Sequence, residues 1–364
     1  MQTESIEVTS TIYDFIKSSK DDDTTFNDMA LSLFAYQFKH NAPYKKYCQK
    51  RRKTPLTVKD WRDIPAIPLQ AFKALALSCE PPTEAEAIFM TSGTTNKNQR
   101  GKNHHPTLDV WDASMTTGFK QFVLPDRDRM TIYTLSPGAD VNPHSSLARY
   151  LTMVVKTFGD EHSQCFFQGE ALDMSGLTEA LRVSEDRQKP VLLMGASFAY
   201  VHVLDYCAEK NINFELPDGS RLFDTGGFKG QSREVDQETL YASFQDTFGV
   251  SQADCINMYG MTEISSQLYD QCFVNEQGPP REKVSPAWVR TQVLHPDTLE
   301  PVEMGEVGVL AHYDLANWNS CLAVLTEDLG YQTEEGLVLL GRAKGSEARG
   351  CSLTVDALME AHQS

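Results

Sequence analysis

The sequence predicts an α/β protein in which layers of parallel strands and helices are followed by a smaller antiparallel β region, and three observations carry that expectation. Short apolar runs at 87–90, 130–135 and 191–195 have the length and composition of buried strands. Each leads into a loop rich in Gly, Ser, Thr or Pro and then into a helical pattern, the alternation expected of parallel strands with crossover helices. After Val284 the texture shortens to TQVLHPDTLEPVEMGEVGVLAHYDL and AVLTEDLGYQTEEGLVLLGR, where HPDT, MGEVG and EEG are turn signals between β-prone runs.

Taken in order, residues 24–50 place Phe26, Met29, Leu31, Leu33, Phe34, Tyr36 and Phe38 among polar positions, the pattern of an amphipathic opening helix. Pro65 and Pro68 break it before a short helix around 69–77. The expected division is an α/β core over 1–283, an antiparallel β subdomain over 284–346 and a C-terminal tail over 347–364. Ligands of a parallel sheet lie beyond the carboxyl ends of its strands, so a site is expected in the loops after the apolar runs.

Composition narrows the classes of function. Apolar residues make up 41% and charged residues 23%, the proportions of an ordinary globular protein able to bury a core. A formal charge of −17 repels nucleic acid and anionic membranes, so neither is an expected partner, and an anionic ligand would need locally concentrated donors. The N-terminal stretch lacks a basic segment leading into an apolar run, and no window approaches the roughly 20 apolar residues of a membrane span. The expected location is therefore cytoplasmic. Eight cysteines without a CxxC pair argue against a zinc site or a disulfide framework.

Three segments carry chemistry. FMTSGTTNKNQRGK, 89–102, follows an expected strand; its hydroxyls, backbone N–H groups and glycines suit phosphate oxygens, and Lys97, Arg100 or Lys102 could neutralise charge. It lacks the order of a Walker loop, and by itself it is also compatible with an exposed polar hairpin. NMYGMTEISS, 257–266, is expected at a strand-to-helix turn, with Tyr259 offering a flat face to a purine, Thr262 a hydroxyl and Glu263 a hard carboxylate for Mg²⁺. Alone it reads equally well as a helix start capped by Thr262. LTEDLG, 325–330, with Gly341 and Arg342 one hairpin later, could hold a ribose through Asp328 and Arg342, or be a surface ion pair. His104 and His105 beside the first loop are expected to be solvated, and SPGADVNPHSSLARYL has no GxSxG elbow to make Asp140, His144 and Ser145 a hydrolase triad.

TSGTT at 91–95, YGMTE at 259–263, TEDLG at 326–330 and GR at 341–342 occur in the order found in the adenylate-forming superfamily of acyl-CoA ligases, luciferases and peptide-synthetase adenylation domains. More specifically, the chain resembles the acyl-protein synthetase family of bacterial bioluminescence. That resemblance runs across IPLQAFK (67–73), FMTSGT, VLLMGASF (191–198), TGGFKG (225–230), PAWVRTQVLHPDTLEPV (286–302), LTEDLG and RGCSLT (349–354). It implies the N-terminal-domain fold of adenylate-forming enzymes, parallel α/β layers plus a small distorted β-barrel, and ATP-dependent activation of a fatty or other carboxylic acid as acyl-AMP. Thr91, Ser92, Gly93, Thr94 and Thr95 would hold the ATP phosphates, and Gly226, Gly227 and Tyr259 would flank the adenine. Thr262 would contact the α-phosphate, Glu263 the Mg²⁺, and Asp328 and Arg342 the ribose.

The resemblance also gives Cys351 a role as the acceptor of the acyl group, to be passed to a partner such as an acyl reductase or acyltransferase. Coenzyme A or a carrier-protein thiol is the alternative acceptor, and a non-catalytic nucleotide- or acyl-binding subunit the alternative function. Arg342, Lys344 and Arg349 could lower the pKa of the thiol. Only 22 residues follow Arg342, so most of the superfamily's mobile C-terminal domain is expected to be missing along with its lysine, for which Lys344, or Lys97 with Arg100, would substitute. YGMTE is closer to acyl-CoA ligases than expected of a dedicated bioluminescence component, which leaves both bioluminescence and another biosynthetic pathway open.

Overall fold

A computed structural model describes residues 1–92, 100–169, 171–226, 232–270 and 281–343. The chain divides into two compact units, one of Met1–Thr117, Met261–Gln267 and Glu282–Ser364, the other of Gly118–Gly260 and Leu268–Arg281. Among the described residues, no helix is long and apolar enough to cross a membrane.

The unit of Gly118–Gly260 and Leu268–Arg281 is built on the expected alternation. Its sheet runs Leu268–Asp270, Cys255–Tyr259, Arg221–Thr225, Val191–Ala196, Thr131–Thr134, Gln164–Cys165, and every pairing except the first is parallel. Helices Ser146–Phe158, Ser197–Lys210 and Gln237–Phe248 connect its strands, and Met174–Asp186 precedes Val191–Ala196. Their starts follow from local chemistry: Ser145, Asp173 and Asp236 each accept a backbone N–H of the first turn. Val191–Ala196 is buried along its whole length, as a central parallel strand must be, and its residues Val191 and Leu193 join Leu177, Leu181, Tyr200, Val203, Phe244 and Phe248 in one core.

The other unit holds the antiparallel strands expected after Val284. Val289–Leu294, Gly308–Asp314, Ala323–Gln332, Leu337–Arg342 and Glu282–Val284 pair in that order, and Ile67–Pro68 adds to Ala323–Gln332 in parallel. The opening differs from the single amphipathic helix expected over 24–50. Three helices are present, Thr3–Ser18, Asp23–His40 and Ala42–Lys50, because Asn41 ends the second and caps the third through Oδ1 at 3.2 Å from Tyr44 N, with Pro43 in its first turn.

Two further expectations are corrected. Ala87–Met90 is followed by an antiparallel partner, Lys102–His105, not by a crossover helix, so the 91–101 segment joins the two strands of a hairpin. Cys255–Tyr259 likewise leads back into the antiparallel strand Leu268–Asp270, so the YGMTE segment lies in a strand-to-strand connection and Thr262 caps no helix.

Irregular backbone in the interior of this unit is satisfied by buried polar side chains. Asp314 is fully buried; its Oδ2 accepts Ser265 N and Ser266 N at 2.8 Å each, and its Oδ1 accepts Ser266 Oγ at 2.7 Å and Ala316 N at 2.9 Å. Burial pushes its pKa up to about 6 against those four bonds. Asn317 donates to Glu263 O at 2.9 Å and Cys321 O at 2.7 Å, while Gln37 and Asn41 of the helices bond the 317–322 loop. Leaving such donors unpaired costs about 1–3 kcal/mol each. Asp314→Asn, which turns one acceptor oxygen into a donor facing N–H or O–H groups, should therefore lower unfolding stability by about 2–4 kcal/mol in urea titration. An unchanged midpoint would show that the hub does not hold the turn.

Candidate active site

In the unit that contains Met261–Gln267, the described parts of the three motif segments come together. Thr91 and Gly101 close the base of the hairpin by two bonds of 3.0 Å, Thr91 N to Gly101 O and Gly101 N to Thr91 Oγ1. A Cβ on Gly101 would lie 3.1 Å from Thr91 Cγ2, 3.3 Å from Glu263 Oε1 and 3.5 Å from Phe72 Cβ, so the glycine leaves room for those groups to meet. The 262–263 backbone is fixed from two sides, by Asn103 Nδ2 to Thr262 O at 3.0 Å and by Asn317 Nδ2 to Glu263 O.

Glu263 is 5% exposed and forms no ion pair among the described residues. Burial raises its pKa to about 7, opposed by its own backbone N–H and by the charges of Arg342 and Lys73, and assisted by Asp328. Asp328 and Arg342, the two residues expected to hold a ribose, face each other across antiparallel strands, with Arg342 Nε 3.6 Å from Asp328 Oδ1. Asp328 is largely covered and Arg342 mostly exposed, at 15% and 73% of their side chains. Thr326 Oγ1 steadies this strand by donating to Leu310 O and accepting Asp328 N.

His104 and His105 are not solvated. They are 6% and 5% exposed because the hairpin strand turns inward against Phe89 and Trp111. Burial holds His105 down to about 3, and burial with the nearby Lys102 lowers His104, so both are neutral at pH 7. Ser92 is exposed, and Arg100 is half-buried with its Nε lacking a hydrogen-bond partner. Gly93, Thr94, Thr95, Lys97, Gly227, Lys344, Arg349 and Cys351 lie outside the described residues.

In the other unit, Gly226 and Tyr259 stand at the carboxyl ends of adjacent parallel strands, one residue beyond the facing pair Thr225 and Met258. Gly226 has φ +72°, a left-handed conformation that favours glycine. A buried carboxylate underlies these strand ends. Asp224 accepts Ser197 Oγ and Tyr241 OH at 2.8 Å and Asn257 Nδ2 at 2.9 Å, and the Ser197 hydroxyl also lies 3.1 Å from Gly226 O. Beyond them Arg281 and Asp270 form a buried ion pair at 2.9 Å, and Asp270 accepts Asn257 N.

The sequence did not single out Asn103, Lys73, Asp224, Asp314 or Asn317. Lys73 and Asp224 stand in or beside segments that carry the family resemblance, IPLQAFK and TGGFKG, whereas Asn103, Asp314 and Asn317 carry no local signal. Chemically, the first cluster offers a hard carboxylate oxygen beside hydroxyl and backbone N–H donors and a carboxylate–guanidinium pair. Among the described residues no group of three His, Cys, Asp or Glu side chains could hold a metal. One buried carboxylate nonetheless suits Mg²⁺, which keeps most of its ligands from water and phosphate.

The chain is 22% identical to the long-chain-fatty-acid–luciferin-component ligase of Aliivibrio fischeri over 303 residues, 83% of this chain and 77% of that protein. It is 20% identical to the ligase of the same name from Vibrio harveyi, covering 88% of this chain and 85% of that one. Among solved structures it superposes on an open conformation of 2-hydroxyisobutyryl-CoA ligase, in complex with 2-HIB-AMP and CoA, with a TM-score of 0.65 at 14% identity, over 87% of this chain and 69% of that one. ATP-bound MatB from Rhodopseudomonas palustris gives a TM-score of 0.51 at 16% identity over 72% of this chain and 49% of that one. The fold is thus that of the adenylate-forming ligases, as the resemblance implied, with parallel and antiparallel strands in a mixed sheet. The model of the family described as acyl-protein synthetase, LuxE, matches residues 3–360, and this chain is a ligase belonging to that family.

Proposed function

We propose that the protein activates a fatty acid with ATP as acyl-AMP and then transfers the acyl group to the thiol of Cys351, for delivery to a partner such as an acyl reductase or acyltransferase. The observation that carries the first half is the cluster in which Glu263, Thr91, Gly101, Thr262 and the Asp328–Arg342 pair meet. In this reading Thr91 and Ser92, with Gly93, Thr94, Thr95 and Lys97, hold the phosphates. Gly226, Gly227 and Tyr259 flank the adenine, and Asp328 and Arg342 take the ribose hydroxyls. Thr262 contacts the α-phosphate. Glu263 is the protein ligand of Mg²⁺, which when bound supplies charge neutralisation to the phosphates.

The carboxylate oxygen of the acid forms a bond to the α-phosphorus, and the bond to the β-phosphate oxygen breaks with its electron pair leaving on pyrophosphate. No proton need move. The protein's contribution is alignment and charge neutralisation, which suits a site made of backbone donors, hydroxyls and a few fixed charges. In the second step a thiolate attacks the acyl carbon, the thiol proton goes to solvent, and AMP departs. Cys351 stands in a Gly-Cys setting like that of the family, in the proposed tail over 347–364.

Pyrophosphate exchange into ATP, driven by a series of carboxylic acids of increasing chain length, tests the activation step. Exchange with long-chain acids is expected, and silence across the series would favour a nucleotide- or acyl-binding subunit. Cys351→Ser should abolish self-labelling by radioactive acid while leaving exchange intact; labelling that persists, or that appears only on added coenzyme A or carrier protein, rules out Cys351 as acceptor.

The state of Glu263 gives a pH test. Its folded-state pKa, about 7, lies above the ordinary value of 4.5, so the fold prefers the protonated form and ionisation is resisted until pH approaches 7. A cation must displace that proton below pH 7. The apparent Mg²⁺ affinity should therefore weaken by up to about tenfold per pH unit on going down from pH 7, and level off above it. Glu263→Gln should remove this dependence along with most exchange activity. A flat Mg²⁺ affinity between pH 5.5 and 7 in the unsubstituted protein would exclude Glu263 as the ligand.

A further inference from the structure

The segment IPLQAFK is carried into the Glu263 cluster by main-chain pairing. Ile67 and Pro68 pair in parallel with Val324 and Leu325, and Leu69 N donates to Leu325 O at 3.0 Å. One residue on, the Gln70 amide bonds the carboxylate of Glu327, the neighbour of Asp328. A single helical turn, Ala71–Ala74, follows, closed by Lys73 N to Gln70 O and Leu75 N to Ala71 O. It buries Phe72 against the place where Thr91, Gly101 and Glu263 meet and leaves Lys73 exposed. Both ends of this turn are tied down, so the lysine is presented from a rigid support.

Charge balance says what that lysine faces. Glu263, Asp328 and the Gln70-bound Glu327 bring three carboxylates to this region, and Arg342 and Lys73 are basic residues whose charge acts on Glu263. Arg342 is already engaged by Asp328 at 3.6 Å. Lys73 forms no ion pair among the described residues, although its charge is felt at the buried carboxylate. An ammonium on a flexible stem, beside a site for phosphates, suits a negative group that arrives with the substrates.

We propose that Lys73 is a further catalytic residue of the adenylation step, its ammonium pairing with the α-phosphoryl oxygens while the carboxylate attacks and pyrophosphate departs. This inference rests on the activation reading given above. Two anions must approach each other in that step, and a cation fixed beside the reacting phosphorus lowers the barrier more than it strengthens ground-state binding.

The test compares Lys73→Met and Lys73→Arg with the unsubstituted full chain in pyrophosphate exchange, using an acid that the unsubstituted protein activates. Lys73→Met should lower kcat by about 100-fold or more with KM for ATP changed by less than about threefold, and Lys73→Arg should recover to within about tenfold of the original kcat. Thermal melting of both variants should match the parent, since the side chain is exposed. The proposal is overturned if Lys73→Met keeps kcat within about threefold, if only KM rises, or if kcat falls only together with the melting temperature. Silence of the unsubstituted protein toward every acid would instead sink the activation reading and this inference together, whereas active parent and active Lys73→Met would sink this inference alone.

Discussion

The turn that carries Glu263 has no helix or ladder to satisfy its backbone, and the need to satisfy it from buried side chains shapes the unit around it. Asp314 takes two backbone N–H groups and a hydroxyl from Ser265 and Ser266, and Asn317 takes up Glu263 O. The indole of Trp288 donates to Ser114 Oγ and Ser266 Oγ at 2.9 and 3.0 Å, extending the same network to the helix that follows the hairpin. Burying a carboxyl group such as Glu263 is costly, and a mobile turn would relieve that cost by swinging it into water, so the turn has to be held for the group to stay buried. The hydrogen-bond hub thus serves stability and site geometry at once.

The N-terminal helices take part in this arrangement. Gln37 accepts Leu322 N and donates to Asn317 O and Trp318 O, while Asn41 donates to Ser320 O. The loop after Gly308–Asp314 is therefore held from the helices on one side and holds the Glu263 turn on the other. At the N-terminal end of the first helix, Glu80 accepts Gln2 N and Ser5 Oγ, and its own N–H bonds Asn319 Oδ1, whose amide reaches His104 O. Contacts separated by more than 200 positions in sequence carry the geometry of the hairpin that bears Thr91.

That separation explains what the sequence made legible and what it hid. Buried strands such as Val191–Ala196 announced themselves by apolar runs, and the order of TSGTT, YGMTE, TEDLG and GR gave the family because each segment's chemistry is local. The direction of the strand after 91–101 was not local. His104 and His105 read as solvated, yet pairing with Ala87–Met90 buries them along with Asn103, and neutral histidines meet an apolar wall without the cost of a charge. The helix expected after Tyr259 failed for a related reason: Thr262 and Glu263 suit a helix start, but their carbonyls are claimed by Asn103 and Asn317 from elsewhere in the chain. Asp314 and Asn317 carried no motif because their work is done by long-range hydrogen bonds.

An acidic chain that handles anions must concentrate its cations, and the structure shows the cost of doing so sparingly. With a net charge of −17, long-range attraction of ATP or a fatty acid is unfavourable, so affinity has to come from short-range donors and from cations whose partners are limited. Arg281 and Arg221 are not available for this purpose, since Asp270 and Asp126 hold them at 2.9 and 2.8 Å. Arg342 shares its charge with Asp328. Lys73, Arg100 and Lys102 remain beside Thr91, Gly101 and Glu263 with no ion pair among the described residues, and their positions follow from the parallel addition of Ile67–Pro68 and the antiparallel return of Lys102–His105. Two backbone pairings that leave no apolar signature in the sequence thus decide where these three basic residues stand, and in a field of this sign an anion would have to meet them at short range.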